Sequence, residues 1–260
     1  LEHQRLVLGH PHILGEATRI EDNLRTLHEQ RISVMSALPA QYLELAQAAQ
    51  RCAIRLPALA LPFCGGAYLD DLVVLEAERC LGVHIKRVYG STEFGMILAN
   101  FAPGLQIGCG MRVAGDVEVR LAILDPAQPE IGEVIARSNH RGSGYFPLPD
   151  NPVEDATYAT GDIARQLADG SLMPLGRVND ALLTVHGTQF APVLEGRIAQ
   201  AMTFERVVIL VDELDRRRAH VVVQTGITMA RDWQSELARL LENMGIVGHI
   251  AVLERIPLTP

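Results

Sequence analysis

Lysine is all but missing from this sequence: Lys86 is the only one in 260 residues. That scarcity excludes a G-x-x-x-x-G-K phosphate loop, since no glycine-rich run leads into a lysine. Basic charge of any kind is short, and a formal net charge of -8 opposes attraction to a phosphodiester backbone. Nucleic acid is therefore not an expected partner. The one compact basic run, Arg216 to Arg218, follows Asp212, Glu213 and Asp215 and reads as a solvated turn between strands. Long apolar runs are absent too. The best candidate, Leu56 to Ala67, is cut by Pro57, Pro62 and the Gly65-Gly66 pair, so no membrane span is expected. The four cysteines, Cys52, Cys64, Cys80 and Cys109, form no C-x-x-C pair, which leaves reduced thiols and a cytoplasmic location as the expectation. There is no internal repeat and no low-complexity segment, and no secretory signal is expected; the first residues read like the middle of a domain.

What is present is an ordinary folding composition. Hydrophobic residues make up 48%, charged residues 21% and mean hydropathy is +0.14, far from disordered chains. Helical patterns are expected near Ile20 to Gln30, Ala40 to Arg51 and Leu69 to Leu81, alternating with strands near Ile32 to Ala37, Leu59 to Cys64 and His84 to Tyr89. Such alternation predicts an α/β lobe with a parallel sheet over residues 1–99. Between residues 100 and 176, short runs such as Val117 to Leu124 and Gly132 to Ser138 are separated by Gly, Pro, Asp and Asn, predicting a β-rich subdomain, a small barrel or distorted sheet. Residues 177–260 predict a small α+β C-terminal lobe: helices near Pro192 to Ala201 and Ala230 to Met244, strands near Arg206 to Val211, His220 to Thr225 and His249 to Leu253.

One segment gathers chemistry. Val88-Tyr89-Gly90-Ser91-Thr92-Glu93 follows a predicted strand and offers an aromatic face, a permissive glycine, two hydroxyls and a carboxylate. A ring can stack on a base, hydroxyls and backbone N–H groups can hold phosphate, and a carboxylate can take Mg²⁺. The end of a parallel strand is where α/β sheets place ligands. On these residues alone, a plain strand-to-loop turn capped by Ser or Thr is the preferred reading. Other signals carry less. Gly108-Cys109-Gly110 with Gly115 lacks the spacing and the following helix of a dinucleotide fingerprint, His10 with His12 lacks a third metal ligand, and His140, His186 and Trp233 read as structural.

Around that segment stand Cys64-Gly65-Gly66-Ala67, then Thr160-Gly161-Asp162, Asp169-Gly170 and Gly176-Arg177 before Asn179-Asp180. In this order, G-G-A, Y-G-x-T-E, T-G-D, D-G and G-R-x-x-D, the chain resembles the adenylate-forming superfamily of acyl-CoA synthetases, peptide-synthetase adenylation domains and luciferases. Gly132-Glu133-Val134 with Gly144-Tyr145 resembles that family's G-E-[IV] … G-Y segment. The resemblance implies an AMP-forming ligase: a carboxylate attacks the α-phosphorus of ATP, pyrophosphate leaves, and the acyl-adenylate passes to a thiol, CoA or a carrier protein. It implies that Gly65, Gly66 and Ala67 line the adenine and acyl pocket, that Gly90 and Ser91 belong to the nucleotide segment, and that Tyr89 stacks on adenine. By the same resemblance Thr92 touches the α-phosphate and Glu93 binds Mg²⁺, these two being the catalytic candidates, while Asp162 holds the ribose hydroxyls, Arg177 sits beside ribose or phosphate, and Asn179 is the hinge.

The sequence also departs from the family. Its members are about twice as long, the hydroxyl-rich phosphate loop has no counterpart here, and the adenylation lysine would follow Leu258-Thr259-Pro260. The run from Val178 to Gly187 is one residue longer than the common form and has Leu183 where a lysine is usual. The expectation is a partial chain that binds nucleotide without completing adenylation by itself. A non-catalytic nucleotide-binding or structural protein of the same fold is the alternative.

Overall fold

Helix α1 (Ile20–Glu29) carries Glu21 and Asp22 in its first turn, where the helix dipole favours negative charge. The computed structural model describes residues 19–104, 107–139, 142, 157–202, 204, 206–225 and 232–256. These fall into two units, one within Leu1–Arg87 and Phe101–Ile107, the other within Val88–Asn100 and Gly108–Pro260.

In the first unit β1 (Val34–Ala37) pairs parallel with β2 (Leu61–Cys64), and β2 pairs parallel with Lys86 and Arg87 at the start of β3 (Lys86–Ser91). Helices make the crossovers: α2 (Pro39–Cys52) opens on a proline at its first position, and α3 (Asp71–Leu81) is capped by the Asp70 carboxylate, which accepts Leu72 N–H at 2.7 Å. Tyr42, Leu45, Ala46 and Ala49 on α2 recur at helical spacing and meet Val74, Ala77 and Leu81 of α3 in one core with Leu24. Each large side chain so buried contributes about 2 kcal/mol. Arg87 is the exception in this interior, only 7% exposed, and its guanidinium pairs with Asp71 at 2.5 Å. Burial pushes the neighbouring Cys64 thiol up to about 12, so it is an inert packing group.

In the second unit β4 (Gly95–Asn100) pairs antiparallel with β5 (Arg112–Val113). An antiparallel sheet follows in the order β6 (Glu118–Ile123), β7 (Ile131–Arg137), β8 (Thr157–Gln166), β9 (Leu172–Arg177). Of the two forms expected for this stretch, it is the open sheet. Asp169-Gly170 makes the β8–β9 turn, the aspartate accepting both the N–H and the hydroxyl of Ser171. A 3₁₀ turn, Val178–Asp180, leads to the hairpin of β10 (Ala181–Thr184) and β11 (Gly187–Phe190), two short strands without an apolar alternation to betray them in the sequence. Then α4 (Ala191–Ala201) and α5 (Trp233–Asn243) pack on β12 (Arg206–Val211), β13 (Arg218–Gln224) and β14 (Val247–Leu253). The β13–β14 pair is parallel because α5 lies between them in the chain.

Three details correct or complete the sequence reading. Arg216 is not merely solvated: it donates to Val178 O at 2.9 Å and to Asn179 Oδ1 at 3.3 Å, tying the β12–β13 turn to the 3₁₀ turn. Trp233 packs edge-on against Phe204 at 5.6 Å, and His186 Nε2 lies 3.2 Å from Asn243 O. Among the described residues, no helix is long and apolar enough to cross a membrane.

Glu195 on α4 accepts the Ile209 N–H of β12 at 2.7 Å, and burial, with the Asp180 charge nearby, pushes its carboxyl from 4.5 up to about 6. A pKa raised in the folded state contributes stability below about pH 4.5 that is lost as pH rises through 6. Glu195→Gln keeps an acceptor for Ile209 and removes the charge. Urea titrations should find the variant about 2 kcal/mol more stable than the native chain at pH 8 and equal to it near pH 4. A difference that does not change with pH would contradict this account.

Candidate functional site

Strand β3 runs further than the sequence suggests. Tyr89, Gly90 and Ser91 are strand residues, and only Thr92, Glu93 and Phe94 form the turn into β4. The extension has a steric cause: a Cβ at Gly90 would lie 1.8 Å from Gly95 O, an approach open only to glycine. Gly95, with φ +69°, closes the turn. Phe94 is buried and stacks on Tyr158 at 5.7 Å, and this aromatic pair anchors the turn to β8. The Glu93 carbonyl accepts Gly142 N–H at 2.7 Å and its Oε1 accepts the Tyr158 hydroxyl at 3.3 Å. Thr92 beside it is exposed.

Opposite stands the Thr160-Gly161-Asp162 segment. In the β7–β8 register Glu133 faces Ile163 and Ile135 faces Ala159, so Val134 alone faces these three residues, a β-bulge. Gly161 takes φ +74° there. Thr160 Oγ donates to Val134 O at 3.0 Å and accepts Asp162 N–H at 3.1 Å. Asp162 emerges with its side chain 18% exposed and accepts the Tyr89 hydroxyl on Oδ2 at 2.9 Å; its Oδ1 lies 3.4 Å from Nε of Arg177, its register partner on β9. Residues 73 apart in sequence thus share a hydrogen bond. Burial raises the Asp162 carboxyl above its ordinary range; the Tyr89 bond and Arg177 pull it back, while Asp180 and Glu133 push it up. Burial also raises the Tyr89 phenol, which stays a donor at any ordinary pH. Arg177 is exposed, so its ion pair adds little.

Ser91 has a different character. Its Oγ is buried and has no hydrogen-bond partner among the described residues, a state that costs about 1–3 kcal/mol unless a ligand oxygen meets it. Gly65, Gly66 and Ala67 lie in the other unit, in the loop after β2, with Gly66 and Ala67 exposed and Gly66 at φ +82°. Gly144-Tyr145, His10, His12, His140 and Leu258-Thr259-Pro260 fall outside the described residues.

A family model described as AMP-binding enzyme matches residues 6–146. The chain belongs to the AMP-binding enzyme family. It is 25% identical over 261 residues to a medium/long-chain-fatty-acid–CoA ligase of Mycobacterium tuberculosis, covering 91% of this chain and 45% of that protein. It is 25% identical over 272 residues to triostin synthetase I of Streptomyces triostinicus, covering 98% of this chain and 51% of that one. Its fold matches the crystal structure of an anthranilate CoA ligase in complex with anthranoyl-AMP with a TM-score of 0.74, at 18% identity, over 95% of this chain and 51% of that chain. This AMP-binding enzyme chain spans about half the length of the relatives it matches.

Some residues of this AMP-binding enzyme's site carry little signal in the sequence. Tyr158 had a faint signal, an aromatic two positions before Thr160 on an alternating strand. Glu133 was visible only inside a motif, with no role attached.

Proposed function

We propose that this site serves an AMP-forming, carboxylate-activating ligase that makes an acyl-adenylate from ATP and a carboxylic acid and passes the acyl group to a thiol, CoA in preference to a carrier protein. The observation that carries the reading is the Tyr89–Asp162 pair, in which the hydroxyl of a stackable ring donates to a partly buried carboxylate at 2.9 Å in a chain of the AMP-binding family. Asp162 supplies two acceptor oxygens for the vicinal hydroxyls of ribose, and Tyr89 supplies the face for adenine. The Ser91 hydroxyl, without a partner among the described residues, and exposed Thr92 offer donors to phosphate oxygens, and Arg177, next to Asp162, offers a cation. Mg²⁺ binds through one or two carboxylates and phosphate oxygens, which suits the single Glu93, and it would supply charge neutralisation there. The CoA ligase names among the relatives favour CoA, and four free thiols suit the cytoplasm. We assign residues 1–99, 100–176 and 177–260 to three working parts, with the last pivoting at Asn179.

The test is affinity for the intermediate. Calorimetry on the purified chain should find AMP bound at roughly millimolar Kd, about 4 kcal/mol, and non-hydrolysable acyl-sulfamoyl adenosines of the fatty or aromatic series bound at least about tenfold more tightly. Glu93→Ala should leave AMP affinity within about twofold while weakening Mg²⁺-dependent ATP binding. No acyl analogue binding better than AMP would remove the carboxylate from this proposal, and no AMP binding would remove the nucleotide.

A further inference from the structure

The T-G-D bulge leaves a polar group that the ladder does not pair. Three residues of β8 facing one of β7 take the Gly161 N–H out of the strand pairing, and Gly161 Nα–H instead donates to Glu133 Oε1 at 3.0 Å. The bulge is thus built by two side chains with separate tasks. Thr160 Oγ satisfies Val134 O and Asp162 N–H; Glu133 satisfies the glycine between them. The Thr160–Gly161 peptide that Glu133 holds lies one peptide before Asp162, and across a glycine at φ +74° its orientation sets the direction from which the chain enters Asp162. Glu133 is also close enough for its charge to act on Asp162.

We propose that Glu133 is a positioning residue for the nucleotide site, holding the Gly161 N–H and with it the Thr160–Gly161 peptide, so that the Asp162 carboxylate is aimed at the ligand. The proposal rests on reading Asp162 as the ribose acceptor. It gives the Gly132-Glu133-Val134 motif a task. Two effects separate: the carboxylate oxygen as acceptor, and its negative charge beside Asp162. The other groups facing Asp162 are the Tyr89 hydroxyl, the Arg177 guanidinium and the Asp180 carboxylate, which all remain in the variants below.

Glu133→Ala removes acceptor and charge; Glu133→Gln keeps an oxygen acceptor and removes only the charge. AMP titrations from pH 5 to 8 should give Glu133→Ala a Kd about tenfold weaker than native, as for loss of one hydrogen bond to a charged acceptor. Glu133→Gln should bind like native at pH 8, with the pH midpoint of binding shifted downward, because Asp162 loses a negative neighbour and ionises more readily. Amide exchange at Gly161 should be faster in Glu133→Ala and native-like in Glu133→Gln. Native AMP affinity in Glu133→Ala, or equal impairment of both variants with an unmoved midpoint, would overturn the proposal. If the native chain binds no AMP, the ribose reading fails by itself. Gly161 exchange and the carbon-detected NMR titration of Asp162 still decide the role of Glu133, and unchanged values in Glu133→Ala would overturn it.

Discussion

Gly90→Ala is expected to destroy the nucleotide segment and to destabilise the chain by about 3 kcal/mol or more, the range of an overpacked site that cannot relax. The added Cβ would lie 1.8 Å from Gly95 O, 2.8 Å from Gly95 C and 3.1 Å from Met96 Cα. All three are backbone atoms, so no rotamer change relieves the clash, and the β3–β4 hairpin must open. Opening it pulls Phe94 from its core and from the Tyr158 ring, and carries Thr92 and Glu93 with it. Gly95→Ala is the control. Gly95 has φ +69° but nothing within 4 Å of a Cβ, so that variant costs only the left-handed conformation, about 1 kcal/mol. Thermal or urea unfolding of both variants, with AMP titration of whatever remains folded, separates the two mechanisms. Comparable losses would mean that close approach is not what requires glycine at position 90.

Asp162→Ala should weaken AMP binding by about a hundredfold, roughly 3 kcal/mol, since two ribose hydroxyls would lose a charged acceptor. The fold should tolerate the change because the Tyr89 hydroxyl keeps a second acceptor, Thr160 Oγ at 3.2 Å. A ligand comparison isolates the ribose contact: 2′,3′-dideoxy-AMP should bind the native chain weakly and lose little further in Asp162→Ala. The pH dependence has a definite sign. Burial raises the Asp162 pKa, and the ionised form is the better acceptor, so native affinity should fall as pH drops through that raised value, while Asp162→Asn shows a flat profile. Equal losses for AMP and its dideoxy analogue would place the ribose elsewhere.

Much of this fold was legible from periodicity. The helical spacing of Tyr42, Leu45, Ala46 and Ala49 and the apolar runs before Cys64 and in Arg206–Val211 announce their elements, because burial of one face is a local property of sequence. The short strands β4, β5, β10 and β11 escaped, since two to six residues carry too little pattern and their pairing is made by partners elsewhere. Motif order exposed the site segments one by one. It could not show that Tyr89 donates to Asp162, that Glu133 holds Gly161, or that Arg216 reaches Val178.

The sequence by itself determined the alternation of elements, the glycine at the hairpin and the family, since these depend on residue type and on neighbours a few positions away. Tertiary structure alone decided the charge states and the convergence. The raised carboxyls of Asp162 and Glu195 arise from desolvation by segments distant in the chain, and the bulge that aims Asp162 exists only where β7 and β8 pair out of step. Hydrogen bonds and burial act through space, so the partner that sets a group's chemistry need not be anywhere near it in the sequence.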